Sequence, residues 1–356
     1  MGMLIEGRWS DEDRTIVDGA YKRPTSPYCD PLDDDTIQAI CAEPERYHLV
    51  ASRSCPWSHR STLTRVLKGL ERHIPLHFAG GPRTQGYRLG TDKRPWRVPG
   101  MDESIAHLHE LYTLADPAYT GRVTVALLWD SERHCIVSNE SVHILRGLDA
   151  VQVGKGQNWT LRPDNLADKI DVLADRIQRE LSNAVYRAGK ARQQDAYNEA
   201  VEEVFATLDM LDARLAEKRF LHGAALTETD LRLWPTLVRF DAVYHGHFKC
   251  TRRRLTDYTH LWAYARDVLS LPGVAATFDE PAIRAAYYGE DLDLNPFGII
   301  ATAPEVEWTA AHSRDLLGPR SVTLRDGRVV TWKDADELSG ADVTKGSGTP
   351  RTASSP

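Results

Sequence analysis

Arg46-Tyr-His-Leu-Val-Ala-Ser-Arg-Ser-Cys-Pro-Trp-Ser-His-Arg60 passes from an alternating, β-prone run to a helical one. Tyr47 to Ser52 reads as a strand. Pro56 suits the first helical position, where a missing N–H would have had no partner anyway. Leu63, Val66, Leu67 and Leu70 then recur at helical spacing. The pattern sets Cys55 at the tip of a strand-to-helix turn, against the positive end of the helix dipole. That position favours the thiolate, the form of cysteine that attacks other atoms. Arg53, His59 and Arg60 are near enough in sequence to add positive charge, His59 lying one turn beyond the sulfur. Ser58 stands where a Cys-x-x-Cys pair would have its second thiol, so the site cannot close its own disulfide. A lone activated thiol works through a mixed disulfide with another thiol. The plain alternative is a buried, inert cysteine opening an ordinary helix.

At 356 residues the chain is long enough for two cores. Its net charge of −7 speaks against a nucleic-acid-binding surface. No apolar run approaches the roughly 18 residues of a membrane span, and the first residues lack the pattern of a signal peptide. The five cysteines, Cys29, Cys41, Cys55, Cys135 and Cys250, are scattered, odd in number and without metal spacing. They suit a reducing compartment, and the cytoplasm is expected. His245-Gly-His247 has no third ligand in view, so no metal is expected.

Residues 1–45 read as an irregular leader ending in a short helix. After the Cys55 unit, Pro75–Ala79 reads as a second strand and Gly80–Pro99 as a loop. Asp102–Ala115 reads as a helix capped by Asp102. Val123–Leu128 reads as a buried strand, turned at Asp130-Ser-Glu-Arg133 into Cys135–Val137. Ser138-Asn-Glu-Ser141 caps a helix to Leu148. Strand, helix, strand, helix, hairpin, helix is a thioredoxin-like order. Beyond Trp159 the pattern is helical, over Asp164–Ala188, Gln193–Leu215, Thr227–His245 and Leu261–Leu269. The expected fold is therefore α/β plus all-α: a thioredoxin-like unit over 46–152, then a helical bundle over 160–304, the linker falling in Val153–Asn158. Residues 305–356 read as an extension, with a hairpin turning at Asp326-Gly327 and a disordered tail from Ser339.

A thioredoxin-like half before a helical half is the plan of the glutathione transferases. Cys55-Pro-Trp-Ser-His-Arg60 resembles the nucleophile motif of the glutathionyl-hydroquinone reductases, the Xi-class transferases. The resemblance extends in order over roughly residues 46–300. It includes Thr120-Gly-Arg-Val-Thr-Val125, Ser138-Asn-Glu-Ser141, Asn183-Ala-Val-Tyr186, Arg239-Phe-Asp241 and Tyr287-Tyr-Gly289. It implies a glutathione-dependent enzyme with Cys55 as nucleophile. Glu140 and Ser141 match the pair that holds the γ-glutamyl end of glutathione. A helix N-terminus with a hydroxyl suits a carboxylate, and a Glu suits an ammonium; simple capping is the plain alternative. The Val125 backbone would pair with the cysteinyl amide of the thiol, as an added strand does, and Trp57 would wall the site. Tyr87 stands where the family has a loop tryptophan. Tyr186, Tyr287 and Tyr288, with Tyr244, match tyrosines lining the aromatic pocket; Tyr186 or Tyr288 would donate a proton to the leaving ring. Ala126 stands where the family places a cis-proline, and a trans bond is expected there, since cis costs roughly 2.5–4 kcal/mol without proline.

The implied reaction cleaves a thioether between glutathione, or another low-molecular-weight thiol, and a hydroquinone-like ring. A homodimer is implied as well. Two other readings stand beside it: a thiol-cofactor-dependent transferase or isomerase of an aromatic pathway, and a non-catalytic aromatic-ligand-binding protein of the same fold.

Overall fold

In the computed structural model the described residues are 2–12, 16–17, 20–21, 26–91, 93–153, 158–302 and 305–338. The linker glycines around 154–157 and the tail from Ser339 lie outside them. Four strands form the central sheet. Tyr47–Ala51 runs parallel to Leu76–Phe78 on one side and antiparallel to Leu127–Asp130 on the other, with Cys135–Ser138 at the far edge. This is the thioredoxin-like order expected. The parallel pair is linked by helix α2 (Pro56–Leu67), the crossover that parallel neighbours require. Helix α4 (Ser141–Ala150) packs beside α2.

Helix α2 is buried nearly all round, because the sheet lies on one side and the helical half on the other. Two of its threonines bond back to the helix's own carbonyls. Thr62 Oγ1 donates to the His59 carbonyl and Thr64 Oγ1 to that of Arg60, both at 2.9 Å. At its end Lys68, fully buried, donates to the Trp159 carbonyl at 2.6 Å and lies 3.3 Å from Asp149 at the end of α4. Asp149 also accepts from Thr160 Oγ1 and the Leu161 amide. One buried ion pair thus ties the sheet's two helices to the first strand of the helical half; removing one partner of such a pair costs about 3–5 kcal/mol.

The helical half comprises α5 (Ala167–Ile177), α6 (Ala184–Lys190), α7 (Gln194–Glu217), α8 (Glu228–Leu237), α9 (Thr259–Leu269) and α10 (Glu280–Glu290). Two of the long helices expected are broken by wide five-residue turns, Gln178–Ser182 before α6 and Phe240–Tyr244 after α8. Such turns shift the register of the residues beyond them, and Tyr186 and Tyr244 sit just after or at the end of one. Helix α10 was not legible as a helix, although Asp279 caps it, accepting from the Ala282 amide at 3.0 Å.

Three further readings are corrected. Helix α3 (Leu108–Ala115) begins six residues after Asp102, because Ser104–Ile105 is drawn into a pair with Trp96–Arg97. Its cap is instead made by Glu110, whose carboxylate accepts from the Ala106 and His107 amides. The strand expected at Val123 starts at Leu127, because Thr124 is held by Tyr112, which donates to the Thr124 carbonyl at 2.9 Å. The peptide between Val125 and Ala126 is cis, not trans.

The leader ends in the short helix expected, α1 (Asp34–Ala42), but is otherwise less irregular than expected. Met3–Ile5 and Arg8–Ser10 form a hairpin, and Leu4 exchanges both backbone hydrogen bonds with Gly121. The C-terminal hairpin, Ser321–Leu324 with Val329–Thr331, turns at Gly327 with φ +88°. Its first strand pairs with Trp159–Thr160, and Val322 and Leu324 join the core of the helical half. No helix of the described residues is long and apolar enough to cross a membrane.

Candidate active site

Cys55 occupies the cap position of α2, with extended φ/ψ of −78° and 116° and Pro56 in the first turn. The Ser58 amide points at its sulfur, N to Sγ 3.4 Å, and Sγ lies 3.8 Å from the Val125 carbonyl. The side chain is 9% exposed. A sulfur placed there receives the free N–H groups of the helix start.

The positive charges expected around it are arranged differently. His59 is buried, its Nδ1 facing Arg239 Nη1 at 3.1 Å and its Nε2 facing Thr277 Oγ1 at 2.8 Å. Thr277 Oγ1 donates to the Val274 carbonyl, so His59 Nε2 holds the proton and donates to Thr277. Nδ1 accepts from Arg239, which has no acceptor of its own. His59 is therefore neutral; burial, aided by Arg239, holds its pKa well below the usual value. Arg53 turns outward to Asp279 at 3.1 Å and lies over the Phe78 ring. Arg60 runs into the helical half and donates to Gln178 Oε1 at 2.7 Å. Burial lowers its pKa to about 9, which leaves it charged at neutral pH and within electrostatic reach of Cys55 and Glu140.

The loop over 80–99 contributes a cation the sequence did not signal. Arg83 donates to Ser54 Oγ at 3.3 Å, pairs with Glu290 at 3.2 Å and lies 4.7 Å above the ring centroid of Tyr87. Tyr87 is thereby placed beside the Cys55 turn, and burial pushes its hydroxyl up to about 12.

Glu140 is the cap of α4. Its Oε1 accepts from the Val142 amide and from Ser141 Oγ, each at 3.3 Å. The capping role weighed from sequence is thus present, and the N–H groups of the helix start remain beside a carboxylate and a hydroxyl. Tyr112 braces this loop and the one holding Val125 together. Its hydroxyl accepts from Asn139 Nδ2 at 3.0 Å while donating to the Thr124 carbonyl. Nothing in the sequence pattern marked Tyr112 for this.

On the helical side Trp57 packs at 5.1 Å against Tyr186. Tyr186, Tyr244 and Tyr287 form one cluster, with ring centroids 5.8 to 6.5 Å apart and Phe248 closing it. The hydroxyls of Tyr186 and Tyr287 hydrogen-bond each other. Burial raises the pKa of all three, that of Tyr186 and Tyr287 far above the usual value. Tyr288 is turned elsewhere. Successive helix residues point 100° apart, and its ring lies 4.6 Å from His247. His247 in turn approaches Asp291 at 4.0 Å. Away from these residues His107, His109 and Glu110 bring one ligand atom each within 4.8 Å of the others, but the Glu110 carboxylate there is the cap of α3.

A model of the glutathione S-transferase C-terminal domain matches residues 194–267. Glutathionyl-hydroquinone reductase YqjG of Escherichia coli strain K12 is 39% identical over 328 residues, 89% of this chain and 99% of that protein. Glutathionyl-hydroquinone reductase PcpF of Sphingobium chlorophenolicum is 41% identical over 313 residues, 85% and 96% of the two chains. Among solved structures, the Xi-class transferase from Natrialba magadii superposes with a TM-score of 0.78 at 37% identity, over 89% of this chain and 97% of that one. The glutathione-bound structure of the Escherichia coli YqjG gives 0.71 at 40% identity, over 77% and 90%.

Proposed function

Since the chain belongs to the glutathionyl-hydroquinone reductases, the Xi-class glutathione transferases, we propose that Cys55 carries its reaction through a mixed disulfide. The protein is a glutathione-dependent enzyme, and its reaction is the reduction of glutathionyl-hydroquinones. The Cys55 thiolate attacks the thioether sulfur of the conjugate. A sulfur–sulfur bond forms to glutathione and the carbon–sulfur bond breaks, its electron pair passing to the ring carbon. That carbon takes a proton from the Tyr186–Tyr287 hydroxyl pair, and the hydroquinone leaves. A second glutathione gives its thiol proton back to the tyrosine pair and, as thiolate, attacks the mixed disulfide; glutathione disulfide departs and Cys55 regains its thiolate. Two electrons are supplied by the two glutathione sulfurs, and no other reductant is needed.

The observation that carries this reading is the Cys55 sulfur at the head of α2 with Ser58 N–H aimed at it and no second cysteine in the turn. Glu140 and Ser141 would hold the γ-glutamyl end of glutathione, the Val125 backbone its cysteinyl amide, and Tyr87 and Trp57 would flank it. Tyr186, Tyr244 and Tyr287 would line the aromatic pocket, with Tyr288 at its margin. The thiol half would be residues 46–152 and the aromatic half 160–304, in a homodimer. All five cysteines are free, which suits a reducing compartment such as the cytoplasm. The test is intact mass after incubation with glutathione disulfide, together with turnover of a glutathionyl-hydroquinone by Cys55→Ala. One glutathione adduct on Cys55 and a variant that is folded but inactive are expected; turnover retained by Cys55→Ala refutes the mechanism.

A further inference from the structure

Arg239 belongs to a sequence motif, Arg239-Phe-Asp241, whose first residue the reaction above leaves without a task. Phe240 fills the helical core, and Asp241 accepts from the Leu255 and Thr256 amides. Arg239 is fully buried just after α8. All of its nitrogens are engaged. Nε donates to the Ser54 carbonyl at 3.0 Å and Nη2 to the Arg53 carbonyl at 2.9 Å. Nη1 donates to the Pro235 carbonyl at 2.7 Å and to His59 Nδ1 at 3.1 Å. Arg53 and Ser54 are the two residues that lead into Cys55, and His59 follows it by one turn. One rigid guanidinium from the helical half therefore grips the backbone before the sulfur and a side chain after it.

We propose that Arg239 is a positioning residue for Cys55, fixing the strand-to-helix turn so that the sulfur stays at the head of α2 and facing the tyrosine cluster. This role presupposes Cys55 as the nucleophile. The carbonyls of Arg53 and Ser54 end a strand that could turn in several ways; a planar fork binding both at once selects one. The His59 tautomer belongs to the same device. Thr277 takes the Nε2 proton, so Nδ1 stays open to Arg239, and a protonated His59 would face a guanidinium. The same cation lies within electrostatic reach of Tyr244 and Tyr287 and opposes the effect of their burial. The thiol and aromatic halves of the site are thus registered to one another through one fully buried guanidinium.

A displacement of about 1 Å at a reacting atom costs on the order of 10²-fold in rate. The experiment compares Arg239→Gln and Arg239→Lys with Leu237→Ala, a core truncation at the end of α8 that removes none of the hydrogen bonds to the Cys55 turn. Three quantities are read on folded full-length protein: thermal midpoint, kcat and KM for a glutathionyl conjugate of 1,4-hydroquinone, and the rate of Cys55 alkylation by iodoacetamide, followed by peptide mass. Arg239→Gln is expected to lower kcat and the alkylation rate by about 10²-fold with KM within about threefold. Lysine keeps the charge but cannot span both carbonyls, so Arg239→Lys is expected to recover less than about a tenth of the lost rate. Leu237→Ala is expected to lower the midpoint with alkylation near the wild-type rate. Wild-type alkylation and kcat in Arg239→Lys overturn the proposal, whether or not Arg239→Gln folds. Equal losses in Leu237→Ala and the arginine variants overturn it as well. An inert Cys55 in the unaltered protein would instead refute the nucleophile itself, an outcome separable from these.

Discussion

Removing one hydroxyl from the Tyr186–Tyr287 pair should separate proton donation from packing. Tyr186→Phe and Tyr287→Phe each keep the ring, with its contacts to Trp57, Tyr244 and Phe248, and delete one partner of a buried hydrogen bond. The remaining hydroxyl is then left buried without its mate, at a stability cost of about 1–3 kcal/mol. General acid catalysis contributes typically 10²–10⁴-fold, so kcat is expected to fall by about that factor. Because the two hydroxyls act as one unit, the double variant is expected to lose little more than either single one. Both phenols have pKa values raised by burial above the ordinary value near 10. The donor therefore keeps its proton throughout neutral and moderately alkaline assays. Its contribution to stability is full below pH 10 and drains only as pH rises beyond it. Tyr288→Phe, facing His247, serves as the control and is expected to stay near the wild-type rate. The assay is release of the free hydroquinone from a glutathionyl conjugate, followed by chromatography at several pH values. Single variants of Tyr186 and Tyr287 that both turn over within about threefold of the parent would refute the assignment.

Acid should loosen the sheet through a pair of neutral histidines. Trp96 Nε1 donates to His77 Nδ1, and His77 Nε2 then donates to His48 Nδ1 at 3.0 Å. Burial lowers the His48 pKa to about 4. Its stabilising contribution is whole above pH 6.5, where the unfolded chain is also neutral. It is lost as pH falls toward 4, by about 3 kcal/mol. Urea midpoints at pH 7.5 and 4.5 should fall further in the parent than in His48→Leu; equal falls contradict the reasoning. Ending the chain at residue 302 should destabilise the helical half while leaving every proposed site residue in place. It removes Arg314, which donates to the carbonyls of Leu215, Lys218 and Arg219, and Arg320, which donates to Asp267 at 2.8 Å. It also removes the strand paired with Trp159–Thr160. Each hydrogen bond lost costs about 0.5–1.5 kcal/mol, so a clear drop in thermal midpoint by circular dichroism is expected, and an unchanged midpoint would show the segment to be idle.

The local sequence determined where Cys55 would sit. A β-prone run ending at Ser52, a cysteine and then a proline leave the backbone few choices, and Cys55 caps α2 because those preferences agree. Three of the four sheet strands and the Asp326-Gly327 turn were legible for the same reason, whereas the strand expected from Val123 begins only at Leu127. Spacing could not show that His59 would be neutral. Its state is set by Arg239 and Thr277, 180 and 218 residues away in the chain. Nor could it show that Tyr287 would join Tyr186 while Tyr288 turned to His247, since two neighbours on a helix look alike until the helix is docked. The start of α3 was misplaced because Ser104–Ile105 found a strand partner in Trp96–Arg97. Local preference is written in neighbouring residues, whereas protonation, facing and register depend on groups that only the folded chain brings within a few ångströms of each other.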